Sequence, residues 1–251
     1  MGMLLENRIA LITGAARGIG KSIAKDFAQE GAQVVVLDIL ESEGKQTVSE
    51  IQAEGGRAYF INCDVTDSLC LKSATLEVEK NMGKIDILVL NAGISIKQPL
   101  DDIDEATWHQ VLDVNLNGAF FTLKAFIDHI RSSKYGKIIF ISSGSAYTGT
   151  GGGLNYVASK AGLNAMVLNL AKELGPLGIN VNAIAPRVIH TEMLENLYPD
   201  EESKNKIRNL IPIRKIGQPE DVAYLASFLA SDKSEYIHGQ VILLDGGRTF
   251  Q

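Results

Sequence analysis

A doubly wound α/β fold, one parallel sheet with helices on both faces, is predicted by three features of the sequence. Short, wholly apolar runs alternate along the chain with segments of helical periodicity, the pattern of a sheet buried on both faces. The first apolar run ends in a glycine-rich turn that opens a helix. No internal repeat, proline-rich linker or low-complexity stretch divides the 251 residues, so a single domain over 1–251 is expected.

Residues 9–12, Ile-Ala-Leu-Ile, form the first strand, and the turn runs from Thr13 to Gly20. Ile23, Ala24, Phe27 and Ala28 then recur at helical spacing until Gly31 stops the helix. Such a unit aims backbone N–H groups at a helix N-terminus, so Gly14, Arg17, Gly18, Ile19 and Gly20 are candidates to cradle a pyrophosphate. Their spacing, G-x-x-x-G-x-G, departs from the generic G-x-G-x-x-G, and alone it also suits a structural turn. The second strand, residues 34–37, ends in Asp38, where a carboxylate can accept hydrogen bonds from an adenosine ribose. A carboxylate there repels a 2′-phosphate and favours NAD over NADP. Arg17 pulls the other way, since a guanidinium can bind that phosphate. Asp38 weighs more, because it acts directly on the group that distinguishes the two cofactors.

The pattern repeats with a helix over about 41–54, a strand at 58–61, a helix over about 67–82 and a strand at 85–90 that leads into Asn91-Ala92-Gly93. Residues 104–131 read as one long helix with Trp108, Val111, Leu112, Leu116, Phe120 and Leu123 on its apolar side. Asn115 lies within that stripe, and a buried amide needs partners. Strands at 138–141, 180–184 and 241–244 and helices at 154–174 and 218–231 complete the alternation. The segment 187–216 breaks it, with Pro199, Pro212 and a mixture of apolar and acidic residues. Following a strand's C-terminal end, it is placed to cover the ligand crevice as a lid; the alternative is an ordinary insertion.

Composition excludes several classes. A formal net charge of −6 and the lack of any basic run argue against a nucleic-acid partner. No run approaches the roughly 20 apolar residues of a membrane span, and Glu6, Asn7 and Arg8 interrupt the only apolar start, so no signal peptide is expected. Cys63 and Cys70 lack zinc-site spacing and read as buried thiols of a reducing compartment. A cytoplasmic protein with neither nucleic-acid nor membrane partners is the expectation.

Chemistry concentrates between 138 and 162, a strand, a small-residue loop and a helix carrying Tyr156 and Lys160. Four residues apart, those side chains share a helix face. A phenol ionises near pH 10, too high for a base at neutral pH, and an ammonium beside it favours the phenolate. Ser143, at the strand's end, can set a hydroxyl beside the same phenol, completing a proton-transfer site with a partner for a substrate oxygen. By itself the pair is equally compatible with an ordinary surface Tyr–Lys contact.

Taken together, Thr13–Gly20, Asn91-Ala92-Gly93, Asn115, Ser143 and Tyr156-x-x-x-Lys160 resemble, in order and nearly end to end, a short-chain dehydrogenase/reductase of the subtype with this chain's length and a Rossmann-like fold. The first matches that family's own T-G-x-x-x-G-x-G loop, which accounts for the departure from the generic fingerprint. The resemblance implies Tyr156 as the group that exchanges the substrate proton, and Lys160 as holder of the nicotinamide ribose and depressor of the tyrosine pKa. It further implies that Ser143 orients the substrate and that Asn115 supports a water relay from Lys160. Asn91, Ala92, Gly93 and Pro186 would belong to the cofactor site; Asp64 and Val65 would contact adenine, and Ile189 and Thr191 the carboxamide. Hydride would pass between nicotinamide and a carbinol carbon, with no metal. Related enzymes are usually homotetramers, and the apolar Phe120-Phe121 and Val241–Leu244 are consistent with that. Some hold a divalent cation near the C-terminus, which the ending at Gln251 allows but does not favour.

One departure stands out: the family's usual Pro-Gly is Pro186-Arg187 here. Arg187 either faces the substrate mouth, where it would select an anionic substrate, or points to solvent or pairs with Glu192 or Glu195, the slightly favoured alternative. The leading expectation is an NAD-dependent dehydrogenase of a polyol, sugar or other hydroxy compound, with a small-molecule alcohol or ketone as its partner. The alternative, also by resemblance, is an NADPH-dependent 3-oxoacyl-carrier-protein reductase. Leu177 stands where those reductases usually carry a carrier-docking arginine, while Lys134 keeps that option open. A catalytically dead sensor on the same fold is disfavoured by the intact residue set.

Overall fold

In the computed structural model, which describes residues 2–249, seven parallel strands form one sheet in the order β3-β2-β1-β4-β5-β6-β7. They are β1 (Ile9–Thr13), β2 (Gln33–Asp38), β3 (Arg57–Asn62), β4 (Ile87–Leu90), β5 (Lys137–Ile141), β6 (Asn180–Pro186) and β7 (Val241–Leu244). The helices are α1 (Gly18–Gln29), α2 (Glu41–Ala53), α3 (Ser68–Asn81), α4 (Glu105–Leu112), α5 (Gly118–Ser132), α6 (Ser145–Thr148), α7 (Leu154–Leu174), α8 (Glu192–Leu197), α9 (Glu201–Asn209) and α10 (Pro219–Ala230). The doubly wound parallel sheet expected from the sequence is thus the observed one. Its order reverses between β1 and β4, and beyond the carboxyl ends of strands at such a reversal the loops part to leave a crevice.

The apolar runs are continuous because alternate residues serve different faces. Leu11, Val35 and Leu88 point into a core with Leu71 of α3, Phe126 of α5 and Val167 of α7. Ala10, Ile12, Val34 and Val36 pack on the other face against Phe27 of α1, Ile51 of α2 and Leu229 of α10. Each side chain fully withdrawn from water contributes about 1.5–3 kcal/mol, so both layers are held firmly.

Three expectations change. The helix expected over 104–131 runs on through α4 and α5 but is not regular: a π-helical turn over Asp113–Asn117 joins the two, with helical backbone on both sides of it. The Asn115 side chain, fully buried, accepts from Ile94 N–H at 2.7 Å and donates to Ile94 O at 2.9 Å and Ser159 Oγ at 3.0 Å. These bonds tie the helix to the loop after β4, and a widened turn accommodates them. Phe120, expected on the apolar side, is 46 % exposed, because the turn resets the helical phase. The segment 187–216 is not irregular: it holds α8 and α9 around a small core of Leu194, Ile207, Ile211 and Ile216. Finally, Cys63 is buried but Cys70 only half-buried; both are free, and burial pushes the Cys63 thiol above its ordinary value.

Candidate active site

The glycine-rich loop fits the diphosphate of a dinucleotide. The N-terminus of α1 receives no side-chain cap, and no acidic residue occupies its first turn, so its amides face the crevice without an internal anion. Gly14 has φ +64°, and a Cβ on it would lie 2.8 Å from Ala92 Cα, so only glycine allows the loop to lie against the end of β4. Asn91 fastens that approach: its Nδ2 donates to Thr13 O and Gly14 O, both at 2.9 Å, while the backbone N–H groups of Asn91 and Ala92 donate to Thr13 Oγ1 at 3.0 Å. Asn91 and Ala92 therefore build the cradle, and Gly93 borders both Asn115 and Lys160.

Asp38 stands at the end of β2, beside the glycine loop. One carboxylate oxygen accepts from Ala16 N–H at 2.9 Å, the other from Leu40 N–H at 3.0 Å, fixing a negative charge between the loop and β2. Arg17 is exposed and paired with Glu192 of α8. Thr191 approaches Gly18 from the same segment, and Ile189 is buried and bridged to Gly217. Residues from 187 onward therefore reach across the crevice to the glycine loop. Asp64 spends an oxygen on Thr66 N–H and Oγ1, each at 2.8 Å, and Val65 is buried against Gly118.

Ser143, Tyr156 and Lys160 converge at the end of β5. Ser143 is buried, and its Oγ accepts from Ser145 N–H at 3.1 Å. Lys160 is buried, with Nζ donating to Ile141 O at 2.8 Å and lying 5.7 Å from the centre of the Tyr156 ring. Burial pushes the Tyr156 phenol up, and a hydrogen bond with Ser143 pulls it back. Burial also lowers Lys160 to about 8. The phenol, expected to be lowered by the Lys160 ammonium, is raised instead, because desolvation is the largest influence on it, as it is on Lys160. The Asn115 side chain, expected in a water relay, is occupied by Ile94 and Ser159.

Arg187 pairs with neither acidic residue offered to it. Glu192 is held by Arg17, and Glu195 by His190 at 2.9 Å and Lys204 at 2.6 Å. Its guanidinium donates instead to Thr150 Oγ1 at 3.0 Å and Thr249 Oγ1 at 3.4 Å. Nearby, Ser95 donates to Gly152 O at 3.2 Å, and Thr148 shares a 3.0 Å bond with Thr150. Left-handed backbone falls on Val188, φ +61°, rather than on Arg187, so the arginine replaces a glycine that φ does not require here. Nothing in the sequence pointed to Val188, a β-branched residue where strain of this kind is costly. The cation site weighed at Gln251 lies outside the described residues.

A family model described as enoyl-(acyl carrier protein) reductase matches residues 14–249. A 3-oxoacyl-[acyl-carrier-protein] reductase of Thermotoga maritima is 40% identical over 245 residues, covering 98% of this chain and 99% of the relative. A 2-dehydro-3-deoxy-D-gluconate 5-dehydrogenase of Pseudoalteromonas atlantica is 38% identical over 244 residues, covering 97% of this chain and 96% of the relative. Among solved structures, a chain provisionally assigned as an NAD(P)-dependent gluconate 5-dehydrogenase of Beutenbergia cavernae, with NADP bound at low occupancy, matches with a TM-score of 0.94 at 33% identity, covering 100% of both chains.

Proposed function

This chain belongs to the short-chain dehydrogenase/reductase family, an oxidoreductase acting on CH–OH groups, and from that premise we propose that it is an NAD-dependent dehydrogenase of a polyol, sugar or other hydroxy compound. The observation that carries the reading is the meeting of Ser143, Tyr156 and Lys160 at the end of β5, beside a loop built for a dinucleotide diphosphate. A nicotinamide held there supplies the hydride acceptor or donor. Tyr156 moves the proton to or from the substrate oxygen, and Ser143 donates to that same oxygen and fixes it. Lys160, anchored on Ile141 O, keeps its remaining N–H donors for ribose hydroxyls and for the phenol. Asn115 positions Lys160 indirectly, by donating to Ser159, the residue before it, while tying the π-helical turn to the loop at Ile94.

Cofactor choice rests on Asp38. Its carboxylate is fixed at the ribose end, whereas Arg17 is engaged by Glu192. NAD is expected to exceed NADP by at least about tenfold in kcat/KM, a difference of roughly 1.4 kcal/mol, and Asp38→Ala to narrow the gap. Initial rates with both cofactors over a panel of alcohols and ketones check this; equal or better turnover with NADP would remove the NAD assignment. A second reading, an NADPH-dependent 3-oxoacyl-carrier-protein reductase, is favoured by the 40% identity to the Thermotoga maritima reductase. NADPH-driven reduction of an acetoacetyl thioester is its distinguishing signature.

The same reading includes a homotetramer and a cytoplasmic location. Phe120 on α5 and Leu154 and Leu168 on α7 are exposed apolar residues, and β7 is an edge strand whose residues are all half-buried. Open edges and exposed apolar patches favour association. Light scattering at micromolar concentration should give four times the 27.1 kDa chain mass, and a monomer would exclude the assembly. Among the described residues, no helix is long and apolar enough to cross a membrane.

A further inference from the structure

Arg187 leaves β6 beside the catalytic centre. Gly144, the neighbour of Ser143, donates its N–H to Pro186 O at 2.9 Å, and a Cβ on Gly144 would lie 3.0 Å from Arg187 Cβ and 3.1 Å from Cδ. The arginine stem therefore lies flat against the backbone next to the catalytic serine. Its head reaches Thr150, in the loop that returns to Tyr156: a Cβ on Gly152 of that loop would lie 2.5 Å from the Tyr156 ring. On its other side Arg187 walls a recess of about 230 Å³ beneath residues 211–217. The stem thus passes the neighbour of Ser143, and the head ends at the loop that runs on to Tyr156.

Its charge is poorly matched. Among the described residues Arg187 forms no ion pair, and its two partners are neutral hydroxyls, although a guanidinium has five N–H donors. Asp245 is the nearby carboxylate, but its oxygens are held by Gly247 N–H at 2.8 Å and Thr249 N–H at 2.7 Å. Arg248 adds a second positive charge near the head, and burial followed by that charge disfavours protonated Arg187. Arg187 and Arg248 face the one carboxylate of Asp245, and the Lys215–Asp221 pair lining the same recess is neutral as a unit, which leaves a single net positive charge. A planar monoanion suits both that charge and the fork of donors, whereas a phosphate dianion would exceed it.

We propose that Arg187 receives the carboxylate of a hydroxy acid or sugar acid whose hydroxyl is held by Ser143 and Tyr156. This rests on the dehydrogenase reading above and narrows its substrate class. Neutral polyols would leave the guanidinium without an anion and bind less well.

D-Gluconate and D-glucitol test it, since they share a carbon chain and differ at one end by a carboxylate against a hydroxymethyl group. With NAD, the wild type should prefer gluconate by about ten- to hundredfold in kcat/KM, the range for a charge-assisted contact. Arg187→Gln, which keeps the stem, should raise the KM for gluconate by a similar factor with little change in kcat, because the charge binds ground and transition states alike. Glucitol kinetics and the melting temperature should hardly move. Turnover of neutral alcohols without a gluconate preference, or a gluconate KM unchanged in Arg187→Gln, overturns the carboxylate site and leaves the dehydrogenase reading intact. If no alcohol or ketone is turned over with either cofactor, that reading fails. Calorimetric binding of the two probes then still decides the inference: equal affinities, or a gluconate affinity unaffected by the substitution, reject it.

Discussion

Tyr156→Phe is expected to lower kcat/KM by at least about 100-fold, the lower range for loss of a general acid–base group. The change removes one oxygen and keeps the ring, so packing against Gly152 and Lys160 should persist. Affinity for the dinucleotide should change little, because the loop at Gly14–Gly20 and the carboxylate of Asp38 lie on other strands. The pH dependence carries a second signature. Burial holds the phenol protonated through neutral pH, which suits ketone reduction, where the phenol donates. Alcohol oxidation needs the phenolate, so its rate should climb with pH in the wild type. The variant's residual oxidation should lack that rise. Retention of most activity in a purified, folded Tyr156→Phe would show that another group carries the proton.

The elements were legible in the sequence where both period and punctuation were strong. The helix expected at 154–174 is α7, residue for residue, and the strand at 241–244 is β7. The site residues come together because the same strand ends that read as apolar runs deliver Asp38, Asn91 and Ser143 to the carboxyl end of the sheet. What escaped was set by tertiary contacts. The π-helical turn left only one trace, an amide in an apolar stripe, since its cause is the loop at Ile94. The company of Arg187 could not be read, because Arg17 claims Glu192 from 175 residues away. Desolvation was invisible for the same reason: a Tyr–Lys spacing says nothing of how deeply a protein buries either group. Hence the sign of the Tyr156 shift differed from expectation.

Lys160→Met should abolish most activity and yet stabilise the protein without ligand at neutral pH. Burial lowers the Lys160 amine from an ordinary value of 10.5 to about 8. Its charged form is therefore disfavoured on folding, by about 3 kcal/mol for a drop from 10.5 to about 8. The sign follows from proton binding. Below pH 8 both the folded and the unfolded chain carry the proton, and the full penalty applies. Between about 8 and 10.5 the unfolded chain binds more protons than the folded one, so wild-type stability rises with pH; above 10.5 the penalty is gone. Methionine matches the stem's volume and carries no charge, but it forfeits the bond to Ile141 O, which costs about 1 kcal/mol. The net gain near pH 7 is about 2 kcal/mol, and it should shrink and reverse as pH approaches 10.5. Denaturant unfolding of both proteins from pH 7 to 10.5 measures it. A stability difference independent of pH over that range would mean that Lys160 does not titrate there, and that the site holds its cation at no cost to the fold.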